Sequence, residues 1–265
     1  MHTYSTLTKD LERMGLRRND TVLVHSSMKS IGDVEGRADT VLDGLSDYFK
    51  DDGLLALPTL TWSNVNAESP IYNVRLTPSV VGILPELFRQ RPGVIRSLHP
   101  THSIAALGKY ADVLTEGHER FDSPCHRYSP WGRLAASGAK IIFIGASISS
   151  NTILHGVEEW AQATDVLSES HQQLVCIDYD GRSIPVPSRR HIGGHSSYYG
   201  KLENRFKTIG AYDTGVFGDA KCIILDAKKI TSFVFRLIKR YPAAFTRQWN
   251  EEHPNFFQDY QDAKD

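Results

Sequence analysis

Cysteine is scarce in this chain. Cys125, Cys176 and Cys222 are spread over 265 positions, and an odd number so far apart excludes a disulfide framework. Cys176 and Cys222 sit inside apolar, strand-like runs and read as small core residues. An excess of one charge is also missing. Lys and Arg number 30 against 31 Asp and Glu, a net charge of −1, so nothing favours a nucleic acid as partner. No apolar run is long enough to cross a bilayer, and Met1-His2-Thr3-Tyr4-Ser5 carries no signal-peptide pattern. A cytoplasmic, soluble protein with no membrane partner is therefore expected. Internal repeats and low-complexity linkers are absent too. That leaves a single domain over 1–265, long enough to bury a core without covalent staples.

What is present is a rhythm of apolar positions. Leu7, Leu11 and Met14 form a stripe that predicts a helix over 5–14, stopped by Gly15. Thr21-Val22-Leu23-Val24-His25-Ser26-Ser27 predicts a strand covered on both faces. Ala38, Val41, Leu42, Leu45, Tyr48 and Phe49 mark an amphipathic helix over 37–50, and a second strand follows at Leu54 to Pro58. Helix, strand, helix, strand is the order of βαβ units with parallel strands. Residues 61–76 are polar and read as a long loop, with Pro78-Ser79 capping another helix. A short strand before Gly108, a helix over 109–116 and a strand over 139–145 continue the pattern. Farther on the texture changes. Residues 173–179 and 182–186 flank Asp180-Gly181, a hairpin signature. A strand at 220–225 then precedes a helix over 227–239 and a polar tail. The reading is α/β, with a core over 1–165 and an antiparallel elaboration with a C-terminal helix over 166–265.

The stretch with most chemistry follows the strand Ile141-Ile142-Phe143-Ile144, which ends in Gly145-Ala146-Ser147. Asn151-Thr152 then opens a helix whose first N–H groups are unpaired and suit negative charge. At helical spacing His155, Glu158 and Glu159 share a face. An imidazole beside carboxylates is the minimum equipment of a general base, although helices also use such histidines structurally. Two histidine pairs, His99 with His102 and His191 with His195, raise the question of a metal. Each lacks an evident third ligand, and the second spans Gly193-Gly194, so no metal is expected.

Five blocks in register carry a resemblance: His25-Ser26-Ser27, Pro58-Thr59, Thr77-Pro78-Ser79, Arg96-Ser97-x-His99-Pro100-x-His102-Ser103, and Asn151-Thr152-x-x-His155-x-x-Glu158. The chain resembles the aminoglycoside 3-N-acetyltransferase family from about residue 17 to 160, with the likeness thinning after 165. The resemblance implies a three-layer α/β/α sandwich with a largely parallel central sheet. It implies acetyl-CoA as cosubstrate, a small-molecule amine as acceptor and direct transfer in a ternary complex. His25, Ser26, Ser27, Thr77, Ser79, Arg96, Ser97, His99 and Ser103 would contact the coenzyme, with Arg96 and Ser97 gripping a phosphate. His155 would be the general base and Thr152 a donor to the developing oxyanion. Glu158, Glu159 and Asp178 would bind the amino sugar. Homodimerisation is left open.

One departure from the family bears on the acceptor. The resemblance implies acidic residues on a strand some 30 residues after the histidine, which orient the imidazole and attract a polycation. Here that spacing holds Pro187-Ser188-Arg189-Arg190-His191, with Asp178 and Asp180 lying earlier. The carboxylate that steadies His155 is thus undetermined from sequence. A less cationic or anionic acceptor, such as a nucleotide-linked amino sugar, becomes the alternative. Cys125 as an acyl carrier is rejected, since nothing near it in sequence lowers its pKa.

Overall fold

A computed structural model describes residues 1–260. In chain order the elements are α1 (Tyr4–Arg13), β1 (Thr21–Ser26), α2 (Met28–Ile31), α3 (Arg37–Phe49), β2 (Leu54–Pro58), β3 (Ile71–Asn73), α4 (Ile83–Phe88) and β4 (Ile95–Arg96). There follow β5 (Ile104–Gly108), α5 (Ala111–Thr115), α6 (Pro130–Ser137), β6 (Lys140–Ile144) and α7 (Thr152–Ala161). The last part holds β7 (Gln172–Ile177), β8 (Ser183–Ser188), α8 (Glu203–Thr208), β9 (Tyr212–Phe217), β10 (Ala220–Asp226), α9 (Ala227–Arg240), α10 (Arg247–Glu252) and α11 (Phe256–Asp259). The fold is α/β. Among the described residues no helix is long and apolar enough to cross a membrane.

The main sheet has seven strands in the order β4-β5-β2-β1-β6-β10-β9. Its three central strands, β2, β1 and β6, are parallel, with Val24 opposite Ile142 and Ser26 opposite Ile144. Both flanks are antiparallel. The expected parallel arrangement is therefore confined to the centre and the sheet is mixed. Connection length explains only the two outer pairs: Gly218 and Asp219 alone join β9 to β10, and a short link joins β4 to β5, and neither can cross over to a parallel neighbour.

Side-chain alternation along β1 divides the core. Val22 and Val24 face Leu7 and Leu11 of α1 and Val41, Leu42 and Leu45 of α3. Leu23, with Ile141 and Phe143 of β6, faces Trp131 of α6, Leu154 and Val157 of α7 and Phe233, Val234 and Leu237 of α9. α9 shows why the helical pattern holds. Asp226 accepts from Lys229 N at its start, Ile230, Phe233, Val234, Leu237 and Ile238 are buried at helical spacing, and Lys239 and Arg240 close it.

A second, three-stranded sheet is built from β3, β7 and β8. β3 lies within residues 61–76, expected to be loop, and pairs in parallel with β7 from a hundred residues downstream. That partner is what makes Tyr72 a buried strand residue. The helix expected to start at Pro78-Ser79 begins only at Ile83. The tail expected to be simply polar carries α10 and α11 and buries Phe245, Phe257 and Tyr260 in the same core as α9. The Asp180-Gly181 hairpin is present, with Gly181 at φ 80°.

Candidate active site

A cavity of about 950 Å³ opens at the carboxyl ends of β1 and β2, where open α/β sheets commonly bind ligands. Ser26, Pro58, His102, Thr152, His155 and His191 are on its wall. The Asn151 side chain caps α7 by accepting from Ile153 N at 3.2 Å, which sets Thr152 at the first helical position and His155 one turn on. Gly156 lets that helix approach the preceding loop. A Cβ there would meet Trp160 Cζ2 at 2.8 Å and Cys125 O at 3.1 Å, while Trp160 Nε1 donates to Cys125 O at 2.8 Å.

His155 is half-buried, and its Nδ1 lies 3.2 Å from Glu158 Oε2 and 2.8 Å from Tyr199 Oη. The Tyr199 hydroxyl donates to the same Glu158 Oε2 at 2.7 Å, and its single proton is used there. Burial and the Glu158 charge push the phenol pKa far up, so that proton stays. Nδ1 of His155 thus faces two acceptors and must carry the ring hydrogen, which leaves Nε2 with its lone pair. The other carboxylate oxygen of Glu158 is bonded to His195 Nδ1 at 3.0 Å. Burial alone would raise the Glu158 carboxyl, but bonds and charge from His155 and His195 outweigh it and hold it at about 2. For His155, burial lowers the pKa and the bond to Glu158 partly offsets this; nearby His191 lowers it again.

His191 lies flat against His155, centroids 4.6 Å apart and planes 21° from parallel, and meets His102 edge-on at 4.9 Å. Its Nε2 is 2.7 Å from Glu159 Oε1, which also accepts from Cys125 N at 2.8 Å. Ser123 Oγ donates to the other oxygen of Glu159 at 2.6 Å. Cys125, Glu159 and His191 offer ligand atoms within 4.8 Å of one another. The carboxylate is already filled by three donors, however, and burial drives the Cys125 thiol pKa well up, so this donor set fits a hydrogen-bonded brace better than a metal. The histidine pairs do not chelate either. His99 and His102 sit edge to face at 6.3 Å, while His191 and His195 turn to different glutamates.

The structure gathers some of the expected coenzyme contacts and disperses others. His25 and Ser26 reach the cavity, although His25 is stacked on Phe143 at 4.9 Å and burial lowers it to about 3. Ser27 lies just outside and accepts from Ser30 Oγ. Arg96 is 2% exposed and cannot hold a phosphate. Its guanidinium donates to Thr59 Oγ1, Ser103 Oγ, and the carbonyls of Thr59, Val74 and Thr77, locking β2, β5 and the segment after β3 together. Ser103 belongs to that lock, donating to Thr59 O, while Ser97 Oγ is bonded to His118. His99 is fully buried, accepting from the amides of Thr101 and His102. Thr77 Oγ1 accepts from Asn73 N, and Ser79 N donates to Glu86 Oε2; neither residue lines the cavity.

The three carboxylates expected to meet the acceptor are also committed elsewhere. Glu158 and Glu159 are turned inward, their side chains 0% and 5% exposed. Asp178 holds the β7–β8 turn, accepting from Asp180 N and Arg182 N. Sequence reasoning missed Tyr199 and the bond that His195 makes to Glu158. Their one signal was a stretch rich in His, Gly, Ser and Tyr over 187–200. The carboxylate that steadies His155 is Glu158, one turn along the same helix.

Comparisons with known proteins bear on the family and the fold. The family profile described as Aminoglycoside 3-N-acetyltransferase matches residues 23–239. Aminoglycoside N(3)-acetyltransferase VII of Streptomyces paromomycinus is 34% identical over 193 residues, 66% of this chain and 67% of that protein. Aminoglycoside N(3)-acetyltransferase III of a Salmonella species is 28% identical over 269 residues, 91% of this chain and 93% of that one. The solved structure of AAC-IIIb as a binary complex with CoASH superposes with a TM-score of 0.78 at 23% identity, covering 90% of this chain and 97% of its own, a likeness of fold.

Proposed function

The chain belongs to the aminoglycoside 3-N-acetyltransferase family, and from that premise we propose that it transfers the acetyl group of acetyl-CoA directly to an amine of an amino sugar within a ternary complex. The observation that carries the reading is His155 on the cavity wall, its Nδ1 fixed by Glu158 and Tyr199 and its Nε2 without a bonded partner among the described residues. An ammonium has no lone pair, so the attacking nitrogen must be neutral when its bond to the thioester carbon forms. His155 Nε2 accepts the proton that this nitrogen sheds as the N–C bond forms; the tetrahedral intermediate then collapses with cleavage of the C–S bond, and the proton ends on the departing thiolate. The Glu158 carboxylate stabilises the transient imidazolium. Thr152 and the open N–H groups at the start of α7 are suited to the negative charge that develops on the carbonyl oxygen.

The Ser26 hydroxyl supports a polar ligand in the same cavity. It is buried on the wall with no partner among the described residues, and a coenzyme group would satisfy it. Apolar layers on both faces of the main sheet support the three-layer α/β/α reading. Residues after 165 contribute His191, His195 and Tyr199, so the C-terminal part completes the site within one catalytic domain.

The test is His155→Ala against the parent protein, following thiol release from acetyl-CoA with a panel of amino sugars. Turnover should fall by roughly 10²–10⁴ while coenzyme binding, measured by calorimetry, is retained. Full turnover in that variant would remove His155 from the chemistry.

A further inference from the structure

The charge of the cavity wall bears on the acceptor, and the inference drawn from it rests on the transferase reading above. Of the residues that line the cavity, Glu68 alone is acidic, and it is exposed. Against it stands Arg190, also exposed; of the histidines on the wall, burial lowers the pKa of His25, His102 and His155, so these add no standing positive charge. The nearest other carboxylates are turned away: Glu158 is filled by His155, His195 and Tyr199, and Glu159 by His191, Ser123 and the Cys125 amide. Arg189 and Arg190 also separate. The Arg189 side chain donates to Ser168 O at 2.7 Å and lies off the cavity, whereas the Arg190 guanidinium has no bonded partner among the described residues.

A sugar bearing several ammonium groups needs a carboxylate or carbonyl for each one it brings out of water. This wall supplies one carboxylate and one guanidinium, both on exposed side chains. A like charge there raises the cost of every additional ammonium. An unpaired guanidinium, in turn, is a planar fork that matches a phosphate. We infer that the acceptor is an amino sugar with a single amine and an attached phosphate, recognised by Arg190, rather than a polycationic aminoglycoside.

The experiment compares kcat/KM at fixed acetyl-CoA for four acceptors: glucosamine, glucosamine 6-phosphate, uridine-diphosphate glucosamine and sisomicin. At least one phosphorylated sugar should exceed sisomicin by about tenfold or more, and which of the two wins distinguishes a sugar phosphate from a nucleotide-linked sugar. Arg190→Glu should reverse the ranking, losing the phosphorylated acceptor and gaining on sisomicin. Arg189→Glu should leave the ratio within about twofold. Sisomicin equal to or better than both phosphorylated sugars in the parent protein overturns the acceptor assignment alone. Transfer to none of the four sinks the transferase reading and this inference with it.

Discussion

Tyr199 and Glu158 are joined by a 2.7 Å hydrogen bond across 41 residues of sequence, and that bond decides which nitrogen of His155 is basic. By spending its only proton on the carboxylate, the phenol presents a lone pair to Nδ1 and fixes the hydrogen there. The orientation of the His155 ring thus depends on a residue outside its own helix.

Removing the phenol tests this directly. In Tyr199→Phe the ring still packs against Phe245, so the fold should hold, while His155 keeps only its 3.2 Å bond to Glu158. A fall in kcat of roughly tenfold with KM for acetyl-CoA unchanged is the expected result in steady-state assays. An unchanged kcat would show that Glu158 alone suffices.

Glu158→Gln should act on both rate and pH profile. With His155 as the proposed base, only its neutral form is active, so kcat/KM should rise with pH through the His155 pKa, which burial already places below its ordinary value. Glu158 raises that pKa, so its loss should move the acidic limb to still lower pH while the plateau drops by roughly 10². A limb that moves upward would contradict the assigned geometry.

Arg96→Met should damage stability rather than coenzyme binding. The variant strands the carbonyls of Val74 and Thr77 and leaves Thr59 O with Ser103 Oγ alone, at a cost of about 3 kcal/mol in chemical denaturation. The KM for acetyl-CoA of the folded fraction should stay within about twofold.

Acid should unfold the protein early. Burial depresses His25 and His118 to about 3, and pushes His99 and His102 well below their usual value. Unfolded histidines titrate near 6.5, so the unfolded chain binds more protons below that pH. Stability is therefore fully present above about pH 6.5 and is lost as pH falls toward 3. The slope is about 1.4 kcal/mol per pH unit for each such group. Urea midpoints at pH 7.5 and pH 5 check the sign, and equal midpoints would refute it.

The thiols should be silent in the native state. All three cysteines are buried, and burial raises each thiol pKa, that of Cys125 most evidently through Glu159 and Glu158 as well. An alkylating reagent at pH 8 should add no mass to the folded protein and three adducts after denaturation. Prompt labelling of Cys125 would revive an acyl-carrier role.

The periodic elements were legible in sequence because each signal is local. β1, α3, α7 and α9 follow from apolar spacing and were expected within a few residues of where they lie. β9 escaped because it is an edge strand, with exposed Asp213, Thr214 and Val216, and little alternation marks it. At the site, His155 and Glu158 were visible since three helical positions separate them. Tyr199 and His195 were not, because their contacts exist only once a distant loop folds over α7. Arg96 misled for the opposite reason. An arginine beside serines reads as a phosphate grip, and nothing local announces that five protein oxygens surround it.

The place of β10 has a consequence for biosynthesis. It is the tenth strand to be made, yet it sits between β6 and β9, covering an edge of β6 exposed from residue 144 until residue 226 leaves the ribosome. For those 80-odd residues the nascent chain carries an open apolar strand, Ile141-Ile142-Phe143-Ile144, of the kind that seeds misassembly. Slow translation across the 145–226 interval lengthens the time that this edge waits for its partner, and a chaperone that shields a strand edge shortens its exposure.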